Sequence, residues 1–183
     1  MRFIKILTFL FIACGDETPE EQGLPRVVST GNPIIDGLTA KIASHPDDPK
    51  LFAQRAVAYY EMDGYDEAIA DMAVALRIDS TNIEYHYLLA DVYLDYYNSQ
   101  QALATLDRAV DLDPQNIKSL LKLAEFQFLL KQNEESLKTI YRILKINENN
   151  AEAYLFMGLN FESTGAIDNA IKAYQTAIEN DPK

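Results

Sequence analysis

Small residues recur in this chain every 34 positions, and that spacing limits the fold more than any other feature of the sequence. Ala56, Ala90, Ala124 and Gly158 form one column of the repeat, and Ala68, Ala102, Ser136 and Ala170 form a second. Ala75, Ala109, Ile143 and Ala177 make a third, followed by the large aliphatic column Leu76, Val110, Leu144 and Ile178. Pro46, Pro114 and Pro182 stand at twice the same interval. Several independent columns over four copies do not align by chance. A unit of this length cannot bury both of its faces alone, so successive units must stack into a quasi-one-dimensional array.

Within each unit the apolar spacing is helical. In the first, Phe52, Ala56, Tyr59 and Tyr60 form one stripe and Ala68, Ile69, Met72, Ala75 and Leu76 another. Asp63-Gly64 supplies a turn between them, and Asp79-Ser80-Thr81-Asn82 ends the second helix and caps the next. Each unit therefore reads as two antiparallel helices, with alanines where helices approach closely and bulky residues filling the gaps.

At these positions the chain resembles the tetratricopeptide repeat family. Residues 49–82 carry Phe52, Arg55-Ala56, Tyr59, Gly64-Tyr65, Ala68, Met72 and Ala75-Leu76, with Ser80 in the place of the closing proline. Residues 83–116 carry His86, Leu89-Ala90, Tyr93, Ala102, Leu106, Ala109-Val110 and Pro114. The third unit, 117–150, keeps Leu123-Ala124 and Leu144 while Gln127 replaces the tyrosine; the fourth, 151–183, has Tyr154, Met157-Gly158, Phe161, Gly165, Ala170, Tyr174, Ala177-Ile178 and Pro182. The resemblance implies an all-α solenoid of about four helix-turn-helix repeats. Upstream, residues 33–48 fit an N-terminal capping helix, with Ile34, Ile35, Leu38 and Ile42 turned inward and Pro46 closing it.

The start of the chain carries an address. Met1–Cys14 reads MRFIKILTFLFIAC: two positive charges, then an apolar run too short for a membrane span. Residues 1–13 read as a signal peptide. Ala13 before Cys14, the single cysteine of the chain, resembles the lipobox of bacterial lipoproteins. That resemblance implies acylation of Cys14, whose several acyl chains anchor stably where one is marginal. Residues 14–32 follow as an acidic, apolar-poor tether. In bacterial lipoproteins an aspartate after the cysteine signals retention at the inner membrane, so with Gly15 in that place the resemblance implies the outer membrane, facing the periplasm or the surface.

Function classes narrow next. Lys and Arg number 16 against 28 Asp and Glu, a net charge of −12, which repels phosphate backbones and argues against nucleic-acid binding. One cysteine allows no internal disulfide. His45 and His86 lie far apart in sequence, and no H-E-x-x-H, phosphate-cradling glycine loop or G-x-S-x-G is present. No metal or cofactor is expected, and the chain reads as a non-catalytic protein-binding scaffold. In the family the inner face comes mainly from the first helix of each unit. Carried over, those slots place Tyr60 and Glu61, then Glu84, Tyr87, Asp91, Leu94 and Asp95, then Lys118, Leu121, Glu125 and Phe128, and last Leu155, Leu159 and Glu162, in a groove. Tyr60 and Tyr87 are its aromatic contact candidates, and Lys50 and Lys118 its cations. Apolar residues interleaved with carboxylates suit a protein or peptide of basic and apolar character. Self-association through the last helical face is the alternative.

Overall fold

The computed structural model describes residues 29–181. The signal-peptide and lipidation readings at residues 1–13 and Cys14, most of the tether and Pro182 lie outside them. Among the described residues there are nine helices and no strand: α1 (Pro33–Ser44), α2 (Pro49–Tyr60), α3 (Tyr65–Ile78), α4 (Ile83–Asp95), α5 (Ser99–Leu112), α6 (Ile117–Leu129), α7 (Asn133–Ile146), α8 (Ala151–Ser163) and α9 (Ile167–Asn180). The chain is an all-α solenoid.

Helix starts and stops repeat with the sequence period. Asp48, Asn82, Asn116 and Asn150 are the N-caps of α2, α4, α6 and α8. Three of these side chains accept from a backbone N–H of the first turn: Asp48 from Lys50 at 3.0 Å, Asn116 from Ser119 at 3.1 Å and Asn150 from Ala153 at 2.7 Å. The preceding helices end at Asp79, Asp113 and Asn147, whose side chains take the N–H of Thr81, Gln115 and Asn149 two residues on. These Asx turns make the link between units, so it forms with Ser80 as well as with Pro114.

Inside each unit the turn is a Schellman cap. The N–H of Gly64, Asn98, Gln132 and Ala166 donates back to the carbonyls of Tyr59, Tyr93, Gln127 and Phe161. The residue that must go left-handed is the one before: Asp63 (φ 58°), Tyr97 (57°), Lys131 (62°) and Gly165 (79°). Gly64 and Gly165 are thus not equivalent. Gly64 has an ordinary φ of −81° and caps α3, and only Gly165 fills the position that favours glycine.

Packing follows the columns. Ala56, Ala68, Ala75, Ala90, Ala102, Ala109 and Ala124 are fully buried. One core cluster gathers Phe52, Met72, Tyr85 and Leu89, and a second runs on through Leu106, Leu120, Phe126, Ile140 and Ile143. Gly158 is small for a visible reason: a Cβ there would collide with the Tyr174 ring. Two expectations need correction. Ile35 and Leu38 of α1 are buried and Ile42 packs on the first cluster, but Ile34 is 62% exposed. α1 packs against α2 alone, so its apolar stripe is narrow and Ile34 falls outside it. Ile178, fourth in a column whose other members are covered by a following helix, is 67% exposed.

Candidate functional site: the inner face of the stack

Besides packing within each hairpin, α2 touches α4, α4 touches α6 and α6 touches α8, whereas no such contact joins the second helices of successive units. The first helices are therefore drawn together, and their outward slots form the inner face of a curved stack. The centre of that face is a cross-unit ladder. Lys118 Nζ donates to Glu84 Oε1 at 2.6 Å and sits 4.9 Å from the centre of the Tyr87 ring. Lys122 Nζ pairs with Asp91 Oδ1 at 2.7 Å, 5.2 Å from the Phe126 ring centre. Burial pushes the Asp91 carboxyl above its ordinary range, and the Lys122 ammonium opposes that rise. The hydrogen bond to Glu84 raises the Lys118 ammonium.

Beside the ladder, Ile117, Leu121 and Phe156 floor a recess of about 350 Å³ between α6 and α8, ringed by Lys118, Lys122, Glu125 and Glu152. With Lys118 and Lys122 already paired to Glu84 and Asp91, the carboxylates without an ion-pair partner among the described residues include Glu125 and Glu152 here and Glu61 and Asp95 toward the first unit. Asp95 accepts a hydrogen bond from the Tyr60 hydroxyl, and burial raises that phenol's pKa first, with the Asp95 bond adding to it.

The other anticipated residues distribute unevenly. Leu94 is half-buried and packs on the core. Phe128 and Leu159 are half-buried and Glu61 is exposed. Leu155 is exposed and lines a separate recess of about 420 Å³ with Ala177 and Ile178. Glu162 accepts from the Tyr174 hydroxyl at 2.5 Å, within its own hairpin. Tyr87 needs correction as a contact residue. It is only 5% exposed, and its hydroxyl reaches Ser119 at 2.7 Å, because the small Ser119 on the next unit leaves a hole that the phenol fills. Lys122, Ile117 and Phe156 were missed. Lys122 stands four residues after Lys118, and that spacing on one helix places both ammonium groups on the same face. Among the described residues no group of His, Cys, Asp and Glu could hold a metal ion, and no helix is long and apolar enough to cross a membrane.

Three sequence models described as tetratricopeptide repeat match residues 53–117, 93–159 and 151–183. The chain belongs to the tetratricopeptide repeat family. No curated protein sequence matches it significantly. Solved structures share the repeat fold at low identity. MamA is 20% identical with a TM-score of 0.69, over 81% of this chain and 86% of that one. YrrB, described as a TPR protein with an unusual peptide-binding site, is 18% identical with a TM-score of 0.65, over 81% and 77%. TTC0263, a thermophilic TPR protein of Thermus thermophilus, is 18% identical with a TM-score of 0.63, over 81% and 82%.

Proposed function

We propose that this tetratricopeptide repeat protein is a non-catalytic adaptor of the bacterial cell envelope. Acylation of Cys14 holds it at the outer membrane, and its inner face binds a protein partner for the assembly of envelope or secretion machinery. The observation that carries the binding half is the recess between α6 and α8, where an apolar floor of Ile117, Leu121 and Phe156 lies between the carboxylates Glu125 and Glu152. An apolar anchor next to a basic side chain fits that arrangement. The peptide-binding site named for YrrB supports it by analogy of fold. The anchoring half rests on the lipobox-like ending at Ala13-Cys14.

Crosslinked capture from membranes tests the first half by comparing wild type with Leu121→Glu/Glu125→Lys. A partner captured by wild type and lost by the variant supports the reading, and equal capture by both refutes it. Membrane fractionation tests the second: Cys14→Ala should move the protein to the soluble fraction, and unchanged retention removes the anchor from the proposal. Self-association is the second reading, favoured by Ile167, Ile171 and Ile178 of α9, which are 53%, 50% and 67% exposed. A concentration-independent monomer by light scattering sinks it.

A further inference from the structure

At the rim where the first two units turn back on themselves, tyrosine rings collect on the surface. Tyr60 and Tyr65 lie 6.1 Å apart between ring centres, tilted by 60°, and Tyr65 stacks on Tyr96 at 5.3 Å and 16°. Tyr97 follows, 96% exposed. Two of the phenol hydroxyls donate to carboxylates, Tyr60 to Asp95 and Tyr65 to Asp63 at 3.0 Å, and the nearby Asp66 carboxylate raises the Tyr96 phenol. Those bonds fix the ring orientations and leave each carboxylate with unused lone pairs, while stacking covers one face of Tyr65 and of Tyr96 and leaves Tyr97 open.

Tyr97 is the informative member. It occupies the left-handed position that Asp63, Lys131 and Gly165 fill in the other units, where a bulky residue is disfavoured, and its side chain covers almost nothing in the protein itself. The rim also differs in its cations from the rings of α2, α4 and α6 that carry one. Four rings along the first helices carry one: Arg55 lies over Phe52 and Tyr59, Lys118 over Tyr87, and Lys122 over Phe126. No described lysine or arginine lies over Tyr60, Tyr65, Tyr96 or Tyr97, and none pairs with Asp63, Asp66 or Asp95.

We propose that this tyrosine rim is a second docking surface, one that receives an arginine side chain from an exposed segment of a partner protein. Charge complementarity selects the occupant. A guanidinium stacks flat on a phenol face and, at the same time, offers its N–H edge to a carboxylate, a combination that a compact ammonium matches less well. The rim lies on α2–α5 turns rather than at the α6–α8 recess, and the inference does not rest on the adaptor reading: partner capture is read on Leu121→Glu/Glu125→Lys and this surface on Tyr97→Gly, so either can fail alone.

The test is titration of the protein, with 13C-labelled tyrosine rings, by the peptide acetyl-Gly-Arg-Gly-Arg-Gly-amide, with the citrulline peptide as its uncharged isostere. Shifts confined to the rim tyrosines, weakened by salt and absent with citrulline, are expected. Tyr97→Gly should lower affinity about two- to five-fold, the range of one exposed cation–π contact. Tyr96→Ser/Tyr97→Gly should lower it about ten-fold on the same basis, two such contacts being removed. Tyr97→Gly puts glycine where Gly165 already stands in the fourth unit, so its unfolding midpoint should be unchanged or higher, and lost binding there cannot be put down to unfolding. Equal binding of the citrulline peptide, unchanged affinity in both variants, or no shift at the rim overturns the proposal. So does a dimer that Tyr97→Gly dissolves, which would make the occupant a second copy of this chain.

Discussion

The first and last helical hairpins, α2–α3 and α8–α9, put different chemistry on the same 34-residue template. Where the second, third and fourth units hold Leu89, Leu123 and Met157, the first holds Arg55. Its guanidinium forms a two-point pair with Asp71 of α3, with Nε and Nη2 each 2.7 Å from a carboxylate oxygen, and its other nitrogen donates to Thr39 of α1 at 2.9 Å. The side chains are 17% and 8% exposed. The hydrogen bond to Asp71 raises the Arg55 pKa further, against the opposing effect of burial. One polar group thus ties three helices together at the end of the stack where α1 has α2 as its only packing neighbour. The last hairpin instead solves a volume problem: a ring on α9, Tyr174, presses into the space left by Gly158 on α8. The comparison teaches that the period preserves the volume shared by facing positions, while the chemistry filling that volume is free to change between units.

The largest expected effect breaks the first hairpin. Asp71→Ala leaves a mostly buried guanidinium unpaired and should cost about 3–5 kcal/mol in urea denaturation. Arg55→Leu/Asp71→Thr installs the Leu89 and Thr105 combination of the second unit and should stay within about 1.5 kcal/mol of wild type. A double variant as damaged as Asp71→Ala would mean that the first hairpin has a specific need for the ion pair that volume does not describe.

The matching change at the other end is Gly158→Ala, which drives a methyl into the Tyr174 ring and should cost about 1–3 kcal/mol. In a Tyr174→Leu background the same alanine should be tolerated, since Ala90 and Leu106 form that pair in the second unit. Ala90→Leu, at a fully buried close contact, should cost a similar amount, about 1–3 kcal/mol. Thermal unfolding of the single and double variants reads the coupling directly, and additive losses would show that the two positions do not share a volume.

Much of this was legible in the sequence, because a repeat reports each position four times. The alanine columns and the all-helical stack follow from spacing alone, and Asn82 stands at the expected start of α4 although its side chain makes no capping hydrogen bond. What spacing missed depends on the neighbour facing each residue. Tyr87 stands in an inner-face slot, and whether it points out or sinks in is decided by Ser119 on the next unit. Ile34 lies one residue from the buried Ile35, and only the narrowness of the α1 contact places it outside. Gly64 and Gly165 look like one recurring turn glycine, yet the left-handed turn position is Asp63 in the first unit. The Arg55–Asp71 pair left a sign in the sequence, an arginine in a column of aliphatics with an acid sixteen residues on, but spacing does not distinguish a buried pair from two solvated charges.

Alkaline titration sharpens the comparison without touching packing. Loss of solvent on burial, then the Glu162 carboxylate, push the Tyr174 phenol up to about 12. A phenol whose folded pKa lies above its ordinary value of about 10 contributes stability that is fully present below pH 10 and lost as pH rises toward 12. Stability measured by urea denaturation should therefore fall across that window, and Tyr174→Phe should fall less steeply because one such phenol is gone. An unchanged slope in the variant would assign the alkaline loss to other tyrosines, Tyr60 beside Asp95 being the first to examine.

The smallest effect is expected at the exposed Lys118–Glu84 pair in the middle of the stack. If the end hairpins owe their sensitivity to burial, the Lys118–Glu84 pair should contribute little to stability, because its side chains are 65% and 67% exposed. Glu84→Gln should change the unfolding free energy by no more than about 0.5 kcal/mol, less in high salt. The same substitution frees Lys118 over the Tyr87 ring and makes the inner face more positive by one charge, so a partner of basic character should bind the variant more weakly and more slowly. A stability loss as large as that of Gly158→Ala would show that the ladder across the second and third units holds the stack together, and the contrast between the buried contacts of the end hairpins and this exposed pair would have to be abandoned.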